Sequence, residues 1–349
     1  MNIFDIVTPV NIVTYWDETK ADQSTYLSDF LFPKQQVMGL EINKISGFAG
    51  LPVTLKPSAF DTQATFRDRQ TVELQKSKMP FFRERMKIDE ETRQKIMAIS
   101  NDKLLDGIVR TLFDDTNNLI RGARAQRERM AMELISTGKI NVVGNGVSLS
   151  YDYKLNRKQK AKASVKWEDT ENSKPLEDLM NWVDQFRTDF RVALGYAVMT
   201  TKTFNMIKTS NEVKQALYPN AVNAPLVTSA EVKDAIQKFT GLTVLINDNS
   251  YRDAVGGTPN TFFPDDVVSL LPVGNGVIGT MYMGTTPEEA DLLNKQNNNV
   301  MVVDSGVSIY TRTIEHPVNV ETIVSQICLP SFGTDVESGA GSILIASVN

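Results

Sequence analysis

Apolar and small residues recur at Leu105, Ile108, Leu112, Leu119, Ala123, Met130 and Leu134, which is the spacing of one helix face. Asn101 and Asp102 offer N-caps before this run, and Gly138 stands where a left-handed C-cap residue belongs. The pattern predicts a helix over 103–137, a rod of roughly 50 Å at 1.5 Å per residue. No proline lies between Pro80 and Pro175 to break it. Gly107 and Gly122 are its weak points and the expected places for a bend.

The pattern differs on either side of this rod. Over residues 1–35 the apolar positions, among them Phe4, Ile6, Trp16, Tyr26 and Phe30, are scattered without a clean period. That suits an arm packed on something else. Residues 36–82 alternate as strands do, Val53 and Leu55 with Thr54 and Lys56, then Val72 and Leu74 with Glu73 and Gln75. The charged stretch PSAFDTQATFRDRQ lies between them, so the reading is a long two-stranded excursion with a charged tip. A hairpin of that kind buries almost nothing by itself and needs another surface. Met79-Pro80-Phe81-Phe82 ends it, and Asp89 is placed to cap a short helix running to about Ile99.

After Gly138, Ile140–Val143 and Val147–Tyr153 flank Gly144-Asn145-Gly146, a strong hairpin signal. From Pro175 the texture becomes α/β. Leu176, Leu179, Met180, Val183, Phe186, Phe190 and Leu194 form a helical stripe. A short strand (Tyr196–Met199) and one or two helices over Thr203–Leu217 follow. Thr228 and Glu231 form a capping box for a helix that stops at Gly241. Strands are expected at Leu242–Ile246, Val267–Leu271 and Val277–Met283, and Thr286-Pro287-Glu288-Glu289 opens a short helix. From Val300 onward β-type runs dominate, at Val300–Val303, Val307–Thr311, Val320–Cys328 and Ile343–Val348. They are expected to return to the domain of the long helix, which makes that domain discontinuous.

Composition narrows the classes. The chain has 349 residues, enough for about two domains. Its formal net charge of −5 argues against a free-standing nucleic-acid binder. With one cysteine, Cys328, no intrachain disulfide is possible, which fits a reducing compartment. The N-terminal MNIFDIVTPVN has no basic segment and does not read as a signal peptide. No apolar run approaches the roughly 20 residues of a membrane helix. These features place the chain in the cytoplasm.

Candidate chemistry is thin. His316 is the only histidine, so the usual zinc sites are out of reach, and no Gly-x-Ser-x-Gly elbow accompanies it. Cys328 between Ile327 and Leu329 reads as a small buried hydrophobe. Gly274-Asn275-Gly276-Val277-Ile278-Gly279 matches a dinucleotide fingerprint letter for letter, but a strand-like TMYMG follows where a helix is required. A turn is the better reading, as it is for the same VGNGV string at Val143–Val147. Asp114-Asp115 and Asp265-Asp266 read as solvated charges rather than Mg²⁺ ligands. The run from Lys154 to Lys166 holds six Lys/Arg and no acid. With its aromatics flanking rather than interleaved, it reads as a solvated loop or protein contact before a specific nucleic-acid site. No catalytic residue, cofactor or metal is expected, and this points to a structural protein.

The order of these parts carries a resemblance. Phe60-Asp61-Thr62, Met79 to Glu84 (MPFFRE), Met130 to Lys139 (MAMELISTGK), Phe263 to Asp266 (FPDD) and Leu329-Pro330-Ser331 stand in an order and spacing that resemble the lambda-like major capsid protein E family of tailed phages. The resemblance covers essentially the whole chain and implies an α+β fold of the Hong Kong 97 type. It implies an N-arm at 1–35, an E-loop at 36–88 and a P-domain at 89–172 with the spine helix. An A-domain at 173–300 and C-terminal strands at 301–349 returning to the P-domain complete it. It further implies a shell of hexamers and pentamers of this chain enclosing double-stranded DNA, touched non-specifically, with a portal and, as an optional addition, a decoration protein. Because the chain begins close to the arm, a separate scaffolding protein is expected. Trp16 on the arm and Asp61, Arg67 and Arg69 at the loop tip are the expected assembly contacts. The alternatives are an encapsulin-type compartment shell, which shares the fold, and a cytoplasmic α/β enzyme using carboxylates.

Overall fold

The computed structural model describes residues 7–19, 25–47, 72–88, 91, 94, 102–220, 226–273, 278–293, 299–315, 318–332 and 343–349. It divides into two compact units: residues 1–42, 78–131 and 281–331 form the first, and 43–77, 132–280 and 332–349 the second.

The first unit opens with α1 (Pro9–Glu18), whose Thr8 side chain accepts a hydrogen bond from the Asn11 amide and whose proline occupies the first turn. A short α2 (Leu27–Leu31) and β1 (Lys34–Val37) follow. β2 (Glu41–Gly47) and β3 (Val72–Lys78), most of whose residues count with the second unit, form a two-stranded sheet, so the described part of the predicted excursion is paired as expected. The stretch between them, including Val53 and Leu55, lies outside the described residues.

β4 (Phe81–Ile88) continues directly as a strand. Its RERMK core offers no apolar alternation, which is why the pattern alone did not reveal it. Of the helix expected after Asp89, the described residues Glu91 and Gln94 are helical, while Asp89 itself lies outside them. The long helix α3 spans Asp102–Thr137. Gly138 ends it at φ 76°, with its amide on the Leu134 carbonyl at 2.8 Å. Residues up to Ala131 count with the first unit and the last turns with the second.

The remaining strands of the first unit are β13 (Gly279–Gly284), β14 (Val300–Val303), β15 (Val307–Glu315) and β16 (Val318–Phe332), with α8 (Pro287–Leu293) between β13 and β14. The strand order is β1-β13-β16-β15-β14, with β4 also on β16. β1 runs parallel to β13, Lys34 opposite Met281. The alternate residues Val307, Ile309, Val320 and Val324 point to one face. They pack there with Ile12, Trp16 and Ile120. Thus α1 and α3 cover that face of the sheet.

The second unit begins with the hairpin β5 (Lys139–Gly144) and β6 (Val147–Asp152). Asn145 and Gly146 take φ of 49° and 78°, the mirror-image turn that a two-residue hairpin needs. β7 (Lys160–Lys162), α4 (Pro175–Phe190), β8 (Leu194–Met199), α5 (Thr201–Thr209), α6 (Asn211–Leu217) and α7 (Ser229–Thr240) come next. The capping box of Thr228 and Glu231 is present, and Gly241 ends α7 at φ 75°. β9 (Thr243–Ile246), the small β10 (Ser250–Tyr251) and β11 (Asn260–Thr261) pair, β12 (Val267–Pro272) and β17 (Leu344–Ser347) complete it. The sheet order is β7-β17-β12-β8-β9. Leu176, Leu179, Val183 and Phe186 of α4 are buried on this sheet with Phe204, Val232, Ile236 and Leu270.

Candidate assembly surface

The expected contact residues fall in different places. Trp16 is 2% exposed, packed in its own chain's core between α3 and the β15–β16 face. Its apolar surface is therefore spent inside the subunit. Asp61, Arg67 and Arg69 lie outside the described residues, as does His316.

A knot of charge lies where α2, β1, α3 and the β14–β15 turn meet. Arg124, Arg127 and Glu128 share one face of α3 through their three- and four-residue spacing. The Ser28 amide donates to the Glu128 carboxylate at 2.8 Å. Arg124 and Lys34 each reach Asp29 at 3.3 Å. Lys34 Nζ lies 2.7 Å from Asp304, and Arg127 donates to both the Asp304 carboxylate and, at 3.3 Å, its carbonyl. Burial works against an ionised Asp304, yet Arg127 and Lys34 hold its carboxyl below the usual aspartate value. Asp304 and Ser305 take φ of 47° and 56°, a left-handed turn that aspartate tolerates better than most side chains.

The face of the first sheet away from α3 carries a second set. Pairing puts Arg83 opposite Ser325, Lys87 opposite Glu321, and Glu321 opposite Arg312, so these side chains share a face. Glu321 accepts from Arg312 at 2.8 and 2.9 Å and from Arg85 at 3.2 Å. Glu288 of α8 pairs with Arg83 and accepts from Ser325 Oγ at 2.9 Å. Glu289 accepts from Gln36 at 2.5 Å. The carboxylates are buried while Arg83, Arg85 and Arg312 remain about half exposed. Phe81 and Met86 of β4 and Met38 and Leu40 after β1 are exposed as well. Among the described residues, β4 pairs only with β16, so its other edge is open. Guanidinium groups, exposed apolar side chains and an open strand edge suit contact with another polypeptide.

The β5–β6 hairpin is anchored at its base, where Ile140 is buried and Asn141 donates to Glu133 at 3.0 and 3.1 Å. It forms a sheet of its own, and Val143 and Val147 beside its turn are 71% and 51% exposed.

The other candidates behave as packing. Cys328 is fully buried, which pushes its thiol up to about 12 and makes it inert. Asp114 accepts the Tyr15 hydroxyl at 2.9 Å; that bond raises the tyrosine's pKa and ties α1 to α3. Gly279 of the dinucleotide-like string opens a strand, not a helix. No group of three or more His, Cys, Asp and Glu able to hold a metal occurs among the described residues, and no helix there is long and apolar enough to cross a membrane.

Solved structures share this arrangement along nearly its whole length. A protein of a prophage in E. coli CFT073, described as its capsid protein, matches with a TM-score of 0.61 at 14% identity, over 98% of this chain and 99% of its own. A phage-related protein from Bordetella bronchiseptica RB50 matches at 0.57 and 12%, over 98% and 97%. The capsid asymmetric unit of cyanophage A-1(L) matches at 0.51 and 11%, over 93% and 94%. The fold is thus α+β of the Hong Kong 97 type, that of phage shell proteins. Within that class the chain belongs to the phage major capsid protein E family, whose family model matches residues 9–320. It is a structural protein of a phage shell. No curated protein sequence matches it.

Proposed function

We propose that this chain is the major head protein of a tailed phage, assembling with itself as hexamers and pentamers into an icosahedral shell around double-stranded DNA. The family match over residues 9–320 carries this reading. It is supported by the edge of β4 that no described strand pairs and by the exposed Val143 and Val147 at the turn of the β5–β6 hairpin. Such features find their partners in copies of the same chain. Head-to-tail contacts of that kind close into rings, and many modest contacts per subunit hold a shell.

In this reading residues 1–35 are the N-arm and 36–88 the extended loop. Residues 89–172, with the long helix, are the peripheral domain, 173–300 the axial domain, and 301–349 the C-terminal strands that return to the peripheral domain. Asp61, Arg67 and Arg69 pair with charges on neighbouring subunits. A separate scaffolding protein guides assembly in the host cytoplasm, a portal fills one vertex, a decoration protein is an optional addition, and the protein has no catalytic role.

Sedimentation and negative-stain microscopy of the purified protein, with and without its scaffold, test this. Closed shells of megadalton mass are expected, and Arg67→Glu or Arg69→Glu is expected to stop assembly while leaving a folded subunit. A protein that stays a monomer or small oligomer under all conditions contradicts the assembly reading. Shells that enclose protein cargo in place of DNA point to a nanocompartment.

A further inference from the structure

The basic run is built into the second unit as a rigid strip. Gln159 is buried; its Nε2 donates to the Ile343 carbonyl at 3.2 Å and its Oε1 accepts from the Asn156 amide at 2.9 Å. Ala161 and Ala163 pack against the core of the unit, and the Ala163 amide donates to the Ser347 carbonyl at 2.8 Å. Buried Asp178 accepts from Ser164 Oγ and from Trp167 Nε1, each at 2.9 Å. Trp167 stacks on Trp182 with ring centroids 5.8 Å apart. The inward positions are therefore Gln159, Ala161, Ala163 and Trp167. The positions left outward include Lys158, Lys160, Lys162 and Lys166, and Lys154 and Arg157 are exposed just before them.

Among the described residues only Lys158 of these six has an ion-pair partner, Asp189 at 2.7 Å. Asp152, beside the strip, is engaged with Lys139 at 2.8 Å. The strip holds six cations and no acid, so the rest of the chain, at −5 − 6, carries a formal charge of −11. The segregation is sharp, and the cations sit on a backbone already fixed by the core, so that only their side chains are ordered on binding.

We propose that the strip from Lys154 to Lys166 is a sequence-independent contact for the phosphate backbone of duplex DNA. It rests on the reading that the shell encloses DNA. Five of the six cations are lysines, point charges on flexible stems that meet phosphates without demanding a geometry. Protein interfaces are depleted in lysine and anchored by aromatic side chains, and here the two aromatic neighbours, Trp167 and Tyr153, are respectively buried and half-buried. No guanidinium fork or side-chain amide is arrayed to read base edges. A few lysines per subunit, repeated over a shell, give contacts that are weak singly and strongly salt-dependent.

The test uses the purified full-length chain and a fluorescein-labelled 30-base-pair duplex of arbitrary sequence, followed by anisotropy from low to moderate NaCl. Lys160→Gln/Lys162→Gln is expected to weaken binding about tenfold at low salt and to reduce the slope of log K against log salt by about 2. Lys160→Glu/Lys162→Glu weakens it further. Lys202→Gln/Lys238→Gln, at exposed sites elsewhere, leaves both quantities unchanged. Circular dichroism confirms that each variant is folded, and Lys154→Gln/Arg157→Gln serves as an independent pair on the same strip. Equal affinity and slope in the strip and control variants overturns the proposal. So does tighter binding of a glutamate-rich peptide than of DNA at the same salt, which marks an acidic protein partner instead. The nucleic-acid content of native particles is measured in parallel. DNA-free particles defeat the reading of a DNA-filled shell, whereas DNA-filled particles with unaltered strip variants defeat only this site.

Discussion

The two units are held together by different means. The second is a conventional α/β layer whose core of Leu179, Val183, Phe186, Phe204, Ile236 and Leu270 is apolar and continuous. Its helices begin and end on their own signals: Pro175 at the first turn of α4, the Thr228 and Glu231 box on α7, Gly241 after it. The first unit has an apolar face too, but its separate chain segments are joined by charge. Lys34, Asp29, Arg124, Arg127 and Asp304 link residues up to 270 positions apart. Apolar burial is non-directional, whereas a buried ion pair becomes costly when one partner is removed and the other charge is left uncompensated. The segments tied by charge are α2, β1 and the β14–β15 turn, and α2 adds the buried Leu31 to these ion pairs.

The largest expected effect separates the two modes by damage to the second unit. Phe186 is fully buried in α4 and lies 4.6 Å, centroid to centroid, from Phe190. Phe186→Ala is expected to cost about 3–5 kcal/mol, seen as a lower urea midpoint. The loss is the same at pH 7 and pH 4, because no titrating group is involved. A strongly pH-dependent loss would mean that the core is not what holds this unit.

Breaking the charge knot has the opposite signature. Asp304→Asn leaves Arg127, 3% exposed at its side chain, without its carboxylate, at a cost of about 3 kcal/mol at neutral pH. The Asp304 carboxyl is held below its usual value, so its contribution is complete above the unfolded value near 4. It is lost as pH falls through the lower, folded value. The difference between wild type and Asp304→Asn should therefore shrink on acidification below about pH 4, read by urea unfolding at a series of pH values. Limited proteolysis should also cut the arm near Leu27–Leu31 faster in the variant at pH 7. A gap that persists undiminished in acid would assign the stabilisation to packing of the turn.

These contrasts also explain what the sequence could reveal. Gly138, Gly241, the Asn145-Gly146 turn and the α7 capping box each lie within a few residues of the structure they specify, and the α3 face repeats its period over ten turns. β4 and β1 were opaque because RERMK and KQQV have no apolar alternation; they are strands because β16 and β13 lie beside them. The knot was opaque for the same reason, since nothing near Asp304 announces Arg127 or Lys34. Trp16 reads as an arm residue in search of a surface, and the chain supplies that surface itself with Ile120 and Val320. The basic strip was visible as composition, but its rigidity depends on Asp178 and Ile343, both distant in the chain.

Two glycines of the long helix give smaller effects of opposite sign. Gly138 holds φ 76°, and a Cβ there would meet Leu155 Cδ1 at 2.5 Å. Gly138→Ala is expected to destabilise by about 1–2 kcal/mol through the left-handed backbone alone, with a further loss until Leu155 shifts. Gly122, in mid-helix, has nothing within 4 Å of the place a Cβ would take. Gly122→Ala should stabilise the subunit by about 0.5–1 kcal/mol, as an added helix-former in an open position does. A thermal melt of the unassembled subunit reads this directly. Shells of Gly122→Ala are expected to form, with α3 straighter at this position than in wild-type shells. Wild-type and Gly122→Ala shells with the same α3 curvature would leave Gly122 an ordinary exposed helix position.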